Sequence, residues 1–251
     1  MAANGADVFV YLGGDQVVPD EVTHAIIDPS VNIVRRQAFK NRQQLVSVVF
    51  HDDVEIVEWE AFYNCYYLSG TIKLIGVREI GDRAFDSCWA LSGVEFGDRL
   101  ETIRDEAFRS CKSLKSIKSL SVRTIRRSAF SNCYQLTDAE FGIDLETVWN
   151  HSFYSCYELQ RIIIPLKDNL FPIVFSVADS GDDYRYTQFD ECEKLTTIEF
   201  VGAERIHNTI SSLFMERWRD RISEYFGLIN RELPNINPYQ KSYDIQLWIE
   251  H

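Results

Sequence analysis

Six cysteines, Cys65, Cys88, Cys111, Cys133, Cys156 and Cys192, are the residues of this chain best suited by type to chemistry. Their spacing restricts what that chemistry is. No two stand as Cys-x-x-Cys, which excludes zinc ribbons and thioredoxin-like redox centres. His151 precedes Cys156 by five residues, but a thiol nucleophile needs partial exposure and an electropositive setting. The five histidines, His24, His51, His151, His207 and His251, are scattered. The acidic run from Asp179 to Asp183 lacks the one-three-five ligand spacing of a calcium loop and reads as a solvated loop. Gly-x-x-x-x-Gly-Lys, Gly-x-Gly-x-x-Gly, Gly-x-Ser-x-Gly and His-Glu-x-x-His are absent. The expectation is a protein without catalytic residues, metal or cofactor.

The cysteines instead mark a repeat. Phe39, Phe62, Phe85, Phe108, Phe130, Phe153 and Phe189 recur at steps of 22 or 23 residues, and of 36 at the last. Three residues after each stands Arg42 or one of the six cysteines, and three further on Leu45, Leu68, Leu91, Leu114, Leu136, Leu159 or Leu195. A period of 20–29 residues with Leu and Ile at set places marks a leucine-rich-repeat solenoid. The coil Leu91–Cys111 shows how one turn is built. Leu91, Val94 and Phe96 follow a strand with alternate side chains inward, Leu100 and Ile103 form a second inward pair, and Ala107, Phe108 and Cys111 line a short helical turn. One such coil cannot bury its own apolar face, so stability comes from stacking, and the ends need caps. The expected fold is an α/β solenoid, a right-handed coil with a concave parallel β-sheet, short helical turns on the other side and a helical C-terminal cap. Seven strands at about 4.8 Å give a sheet roughly 30 Å long.

Within this register every cysteine points into the core. The reading is six reduced thiols in a reducing compartment, with cross-links between adjacent coils geometrically conceivable. The chain of 251 residues carries a formal charge of −12, which argues against a general nucleic-acid or membrane-surface binder. Residues 1–7 show neither a basic region nor a long apolar run, and no stretch approaches 18 apolar residues. The expectation is therefore an intracellular, cytoplasmic chain without signal peptide or membrane span.

Two features stand out as candidates for binding. From Arg104 to Arg127 eight bases face two acids, and Lys112, Lys115, Lys118 and Arg123 fall within one coil. This is either a patch that steers an acidic protein partner or a set of cross-strand ion pairs, with Glu95, Lys118 and Glu140 at one outward place in consecutive coils. The residue after each repeat cysteine is Tyr66, Trp89, Lys112, Tyr134, Tyr157 and Glu193. Four aromatics in register form a ridge along one side, used at an interface or packed partly against the next coil.

The chain divides into an N-terminal cap, residues 1–21, a solenoid, 22–201, with an insertion near 167–182, and a helical end, 202–251. In the third coil the inward places hold Thr71 and Lys73 while Ile72 and Leu74 sit one residue off, so a bulge is expected. From Ile206 to Ile229 apolar residues recur at three and four, an amphipathic helix that Pro234 stops. A second helix is expected at Tyr243–Trp248. These helices either seal the last coil or dock a partner.

The pattern Leu-x-x-Ile-x-Phe followed by Leu-x-x-Ile-x-x-x-Ala-Phe-x-x-Cys resembles the BspA-type leucine-rich repeat of bacterial surface proteins and protist proteins. Val10-Tyr-Leu-Gly-Gly14, Ile27-Asp-Pro-Ser-Val31 and Ile229-Asn-Arg-Glu-Leu-Pro234 are similar to the diatom leucine-rich-repeat proteins. The resemblance implies a non-enzymatic solenoid used for protein contacts; as an interaction scaffold the isolated chain is expected to be a monomer. The other readings are a structural subunit of a larger assembly and a surface adhesin.

Overall fold

The computed structural model describes residues 8–167, 169–172, 187–202 and 215–250. It is a parallel β-solenoid of about six turns. Each turn contributes a two-residue strand, from Ile33–Val34, Ile56–Val57 and Glu79–Ile80 to Thr102–Ile103, Thr124–Ile125 and Thr147–Val148, and these six form one continuous parallel sheet. The second residue of each strand, from Val34 to Val148, is fully buried. The sequence places these residues only as a second inward pair. They are in fact the unbroken ladder of the molecule.

The longer strands, expected as one sheet, form three. Phe9–Tyr11, His24–Ile27 and Ser47–Val49 make the first, Gly70–Leu74 and Leu91–Phe96 the second. Ser116–Ser119, Asp138–Phe141, Arg161–Pro165 and Thr197–Val201 make the third. The register shifts between Gly70 and Thr71, where Gly70 takes a φ of 74°. That shift turns Ile72 and Leu74 inward and leaves Thr71 and Lys73 outside. Thus the expected bulge is present, at a glycine that adopts positive φ without steric penalty.

The expected short helical turns are absent from the described coils. In their place runs a series of overlapping turns. In one coil Ala61 N donates to Glu58 O, Tyr63 N to Glu60 O and Cys65 N to Phe62 O. The residues two before and two after the Phe, such as Glu60 and Asn64 or Glu106 and Ser110, hold φ between 53° and 63°. Left-handed residues at that spacing straighten the segment, so alternate amides, such as those of Glu60, Phe62 and Asn64, reach the next coil. Phe39 N, Phe62 N, Phe85 N, Phe108 N and Phe130 N each donate to the residue before the next Phe, at 2.7–2.8 Å. A helix satisfies its amides internally; this turn satisfies every second one between coils, so it is completed only in the stack.

The core is made of columns. The seven repeat phenylalanines stack with ring centroids 4.8–5.5 Å apart. The six thiols are free and fully buried, and each donates to the carbonyl of the Phe one coil earlier at 3.1–3.3 Å. Burial pushes every one of these thiols far above its ordinary range.

Side chains also bond the backbone of the outermost described coils. Gln16 accepts from Leu12 N at 2.6 Å and donates to Val10 O at 3.2 Å along the first strand. Arg42, at the cysteine position of the first coil, donates to Val18 O at 2.7 Å and meets Asp20 at 2.9 Å. Beyond the last strand come the helices Met215–Glu232 and Lys241–Glu250, joined through a 3-10 turn at Leu233–Asn235 that contains Pro234. Asn230 pairs with both Ile198 N and Ile198 O, at 2.8 and 3.2 Å. Phe189 N, lacking a next coil, donates to Ser242 Oγ at 2.8 Å. The buried Lys241 ammonium donates to Cys192 O, Glu193 O and Leu195 O. The acidic run Asp179–Asp183 and the helix positions from Ile206 to Phe214 lie outside the described residues.

Candidate interaction surface

The basic stretch Arg104–Arg127 is the first feature that folding rearranges. Its partners are acids about one coil away in sequence, with Glu106, three residues from Arg109, as the exception. Arg104 meets Glu79 at 2.6 Å, Arg109 meets Asp86 at 2.8 Å and Glu106 at 3.0 Å, and Arg126 meets Asp105 at 3.1 Å. Arg127 lies 3.6 Å from Glu106, Arg123 pairs with Glu146, and Lys118 reaches Glu140 at 2.7 Å. Of the expected outward ladder, Lys118 and Glu140 do pair across strands, whereas Glu95 pairs with Lys73 at 3.1 Å.

The inner members of this network are strongly placed. Glu60 and Glu106 are buried at left-handed positions, and Arg83 bridges them, 3.9 Å from Glu60 and 2.7 Å from Glu106. Burial pushes the Glu106 carboxyl up, but its hydrogen bond from Arg83 and the charges of Arg109 and Arg127 prevail and hold it below the usual carboxylate range. Asp86 is fully buried, and there burial prevails over Arg109 and raises its pKa. The network is therefore structural cement, and the patch that the sequence shows is largely neutralised.

What remains is smaller and sharper. Of the eight bases, only Lys112 and Lys115 have no carboxylate within ion-pair distance among the described residues. Lys115 is exposed at the start of the strand Ser116–Ser119. Lys112 places its ammonium 4.1 Å from the centre of the Trp89 ring, a cation–π contact that holds the charge in place while leaving it unneutralised.

The aromatic ridge exists, and it is stacked. Tyr66 lies on Trp89 with centroids 4.2 Å apart, and Tyr134 lies on Tyr157 at 5.4 Å. The rings pack on one another across coils, as the packing reading expects, and Trp89, Tyr134 and Tyr157 remain 41%, 36% and 39% exposed. Trp89 receives Tyr66 from the preceding coil and Lys112 from the following one, so ring edges rather than ring faces meet solvent. Trp59 and Trp149 stand on other turns, each with a cation nearby, Lys40 at 5.6 Å and Arg126 at 5.6 Å.

One part of the surface has no signal in the sequence. Glu191 accepts from Tyr154 OH at 3.0 Å, Tyr157 OH at 3.2 Å, Tyr239 OH at 3.5 Å and from Ser155 Oγ. These hydroxyls, that of Ser155 foremost, lower its pKa. The ridge thereby continues from Tyr134 and Tyr157 onto Tyr239 of the C-terminal segment, a residue 82 positions after Tyr157 by number.

Among the described residues no group of three His, Cys, Asp or Glu side chains is arranged to hold a metal. Nor is any helix there long and apolar enough to cross a membrane. His51 accepts from Asp53 N and contacts Asp28 O, so it serves a turn. Burial lowers the His151 pKa, and Cys156 beside it in sequence is fully buried, which leaves no Cys–His nucleophile there.

The profile of the BspA type leucine-rich repeat region matches this chain in six copies, over residues 20–118 and 78–177. No curated protein matches it. Among solved structures, a leucine-rich repeat protein of T. pallidum is 28% identical, with 61% of this chain and 69% of that one covered and a TM-score of 0.51. A leucine-rich repeat protein from Bacteroides ovatus is 21% identical, covering 80% of this chain and 66% of that one at a TM-score of 0.43. One from Eubacterium ventriosum is 15% identical, covering 72% and 49% at 0.47. The chain thus spans about two thirds of the first two and half of the third.

Proposed function

Because the chain belongs to the BspA type leucine-rich repeat family, whose members are non-enzymatic repeat scaffolds, we propose that it holds a protein partner on the flank formed by Tyr66, Trp89, Lys112 and Lys115. The carrying observation is the selective pairing of charge. Ion pairs take up six of eight bases and leave Lys112, which lies over the Trp89 ring, and the exposed Lys115 three residues on. A partner with an acidic segment gains two unneutralised ammonium groups there, beside ring edges that supply apolar contact at little conformational cost. Stacked rings offer a sugar no free face on Trp89, which favours a protein partner over a carbohydrate.

The remaining parts fit a scaffold. The two C-terminal helices and residues 1–21 act as caps on a solenoid spanning residues 22–201, right-handed as parallel strands joined by a crossover are, so the isolated chain is a monomer. Six buried thiols suit a reducing, intracellular compartment.

Fluorescence anisotropy of a labelled glutamate-rich peptide tests the reading. Wild type binds it in a salt-dependent way, and Lys112→Glu with Lys115→Glu abolishes binding. Lys73→Glu with Lys194→Glu changes the net charge equally on paired residues and leaves most of the binding. Equal losses in the two double variants would show attraction to overall charge only and refute the site.

A further inference from the structure

The outer face of the first sheet carries an aliphatic patch. Strand pairing sets Val10 beside Ile26, and Ile26 beside Val49. Their side chains point away from the core, as do those of Val8 and Leu12, two residues to either side of Val10. The five are 39–61% exposed. In the following turns the same outward place of the repeat is filled by charge. Lys73 stands beside Glu95 and Lys118 beside Glu140, and both couples form ion pairs. The repeat can therefore make this face polar, and its first three strands depart from that. Three strands at about 4.8 Å make a patch roughly 10 Å wide, and Val8 to Leu12 spans roughly 13 Å. That is the footprint of two to three turns of one α-helix.

Beyond the C-terminal ends of these strands stand Asp15, Asp28, Asp52 and Asp53. None of the four takes part in an ion pair among the described residues. Asp28 directly follows Ile27, and its amide donates to Tyr11 O at 2.9 Å, so it borders Leu12. The patch thus joins aliphatic surface to uncompensated negative charge at one edge. A second copy docked face to face would bring the same four carboxylates against this charge and be repelled. An anionic membrane surface is repelled likewise. The complementary occupant is aliphatic and cationic.

We propose that this patch docks an amphipathic helix of a protein partner, with its aliphatic stripe on Val10, Ile26 and Val49 and lysine or arginine beside the strand ends. An exposed apolar face with a polar rim is suited to such contacts. Laying an aliphatic stripe on it removes apolar area from water on both partners. The site is separate from the flank at Trp89 and takes the opposite charge, so neither reading rests on the other.

The probe is a fluorescent leucine–lysine peptide of about 14 residues, roughly 20 Å as a helix, with leucines spaced by three and four. Titration with the full-length protein is expected to give saturable anisotropy. A scrambled leucine–lysine peptide without a helical stripe, and a leucine–glutamate helix, both bind at least about tenfold more weakly. Val10→Thr with Ile26→Thr and Val49→Thr keeps strand-forming residues at exposed places while removing aliphatic surface, and costs about tenfold in affinity. Asp52→Asn with Asp53→Asn costs roughly threefold, a loss that high salt erases. Glu224→Gln with Glu232→Gln makes the same charge change on exposed residues of the C-terminal helix and leaves the affinity unchanged. The proposal is overturned by absence of saturable binding, by equal affinity for the scrambled peptide, by equal losses in the two carboxylate variants, or by undiminished binding in a folded threonine variant. Sedimentation equilibrium and flotation with phosphatidylcholine vesicles test the other occupants. Self-association or vesicle binding that the threonine variant abolishes would assign the patch to a second copy or a lipid surface, and overturn it as well.

Discussion

Replacing Arg109 with Met removes the guanidinium that lies 2.8 Å from Asp86. Asp86 is fully buried, and its other close polar contact is Ser87 Oγ at 3.0 Å. Glu106 also loses Arg109 but keeps Arg83 at 2.7 Å and Arg127 at 3.6 Å, so the damage falls on Asp86. Stripping the partner from a buried charge costs about 3–5 kcal/mol. The Arg109 side chain is 35% exposed, which places the expectation at the lower end, about 3 kcal/mol. For a chain of this size that is a fall in Tm of roughly 6–12 °C. The loss depends on pH with a definite sign. Burial already raises the Asp86 pKa with Arg109 present, and removing the cation raises it further. Protonation then relieves the uncompensated charge, so the penalty is full at neutral pH and shrinks as pH falls through the carboxylate range. Urea unfolding at pH 7.5 and pH 4.5 measures both values. Asp86→Asn in the Arg109→Met background recovers most of the stability. A loss below about 1 kcal/mol, or one that does not change with pH, would refute the claim that the network is cement.

Three further outcomes follow from the same columns. Ser110 holds a φ of 59°, so Ser110→Gly is neutral to stabilising, whereas Ser110→Val costs about 1–2 kcal/mol; melting curves of the pair decide it. The six thiols stay unreactive towards a disulfide reagent in the folded protein and titrate together on unfolding, because their donors face carbonyls in the core; prompt reaction of any one contradicts its placement. Asp190 is nearly buried beside Glu191, and burial with that neighbouring charge raises its pKa to about 7. A raised folded pKa favours the protonated carboxyl, so its contribution is present at low pH and lost as pH rises through about 7. Stability then falls from about pH 4, where the unfolded carboxyl ionises, to about pH 7 and levels off above it, and Asp190→Asn flattens that part of the profile.

The sequence shows positions that repeat and hides partners that do not. Phe108, Cys111 and Leu114 are readable as columns because the period carries them, and Gly70 is readable as a bulge because Thr71 and Lys73 break the inward pattern beside Ile72 and Leu74. The turn around Ala107 and Phe108 is misread as helical because apolar spacing cannot distinguish amides bonded within a segment from amides bonded to the next coil. The basic stretch is only partly readable for a related reason: the pairing of Lys118 with Glu140 follows from the repeat register, while its other ion pairs do not. Glu79, Asp86 and Glu146 lie 20 or more residues from Arg104, Arg109 and Arg123 in sequence or across a coil boundary, so counting charge along the chain misses them. Val10, Ile26 and Val49 become one exposed column only once the strand register is known. Tyr239 joins the ridge from a C-terminal segment that has no repeat register, and no pattern announces it.

Zero-length carbodiimide coupling tests the proposed flank most directly, since it joins a carboxylate only to an amine that it touches. A glutamate-rich peptide bound to the protein is predicted to couple at Lys112 and Lys115, with Lys118 and Lys194 minor because Glu140 and Glu158 already occupy them. Coupling spread evenly over the exposed lysines, or concentrated away from Trp89, would contradict the account.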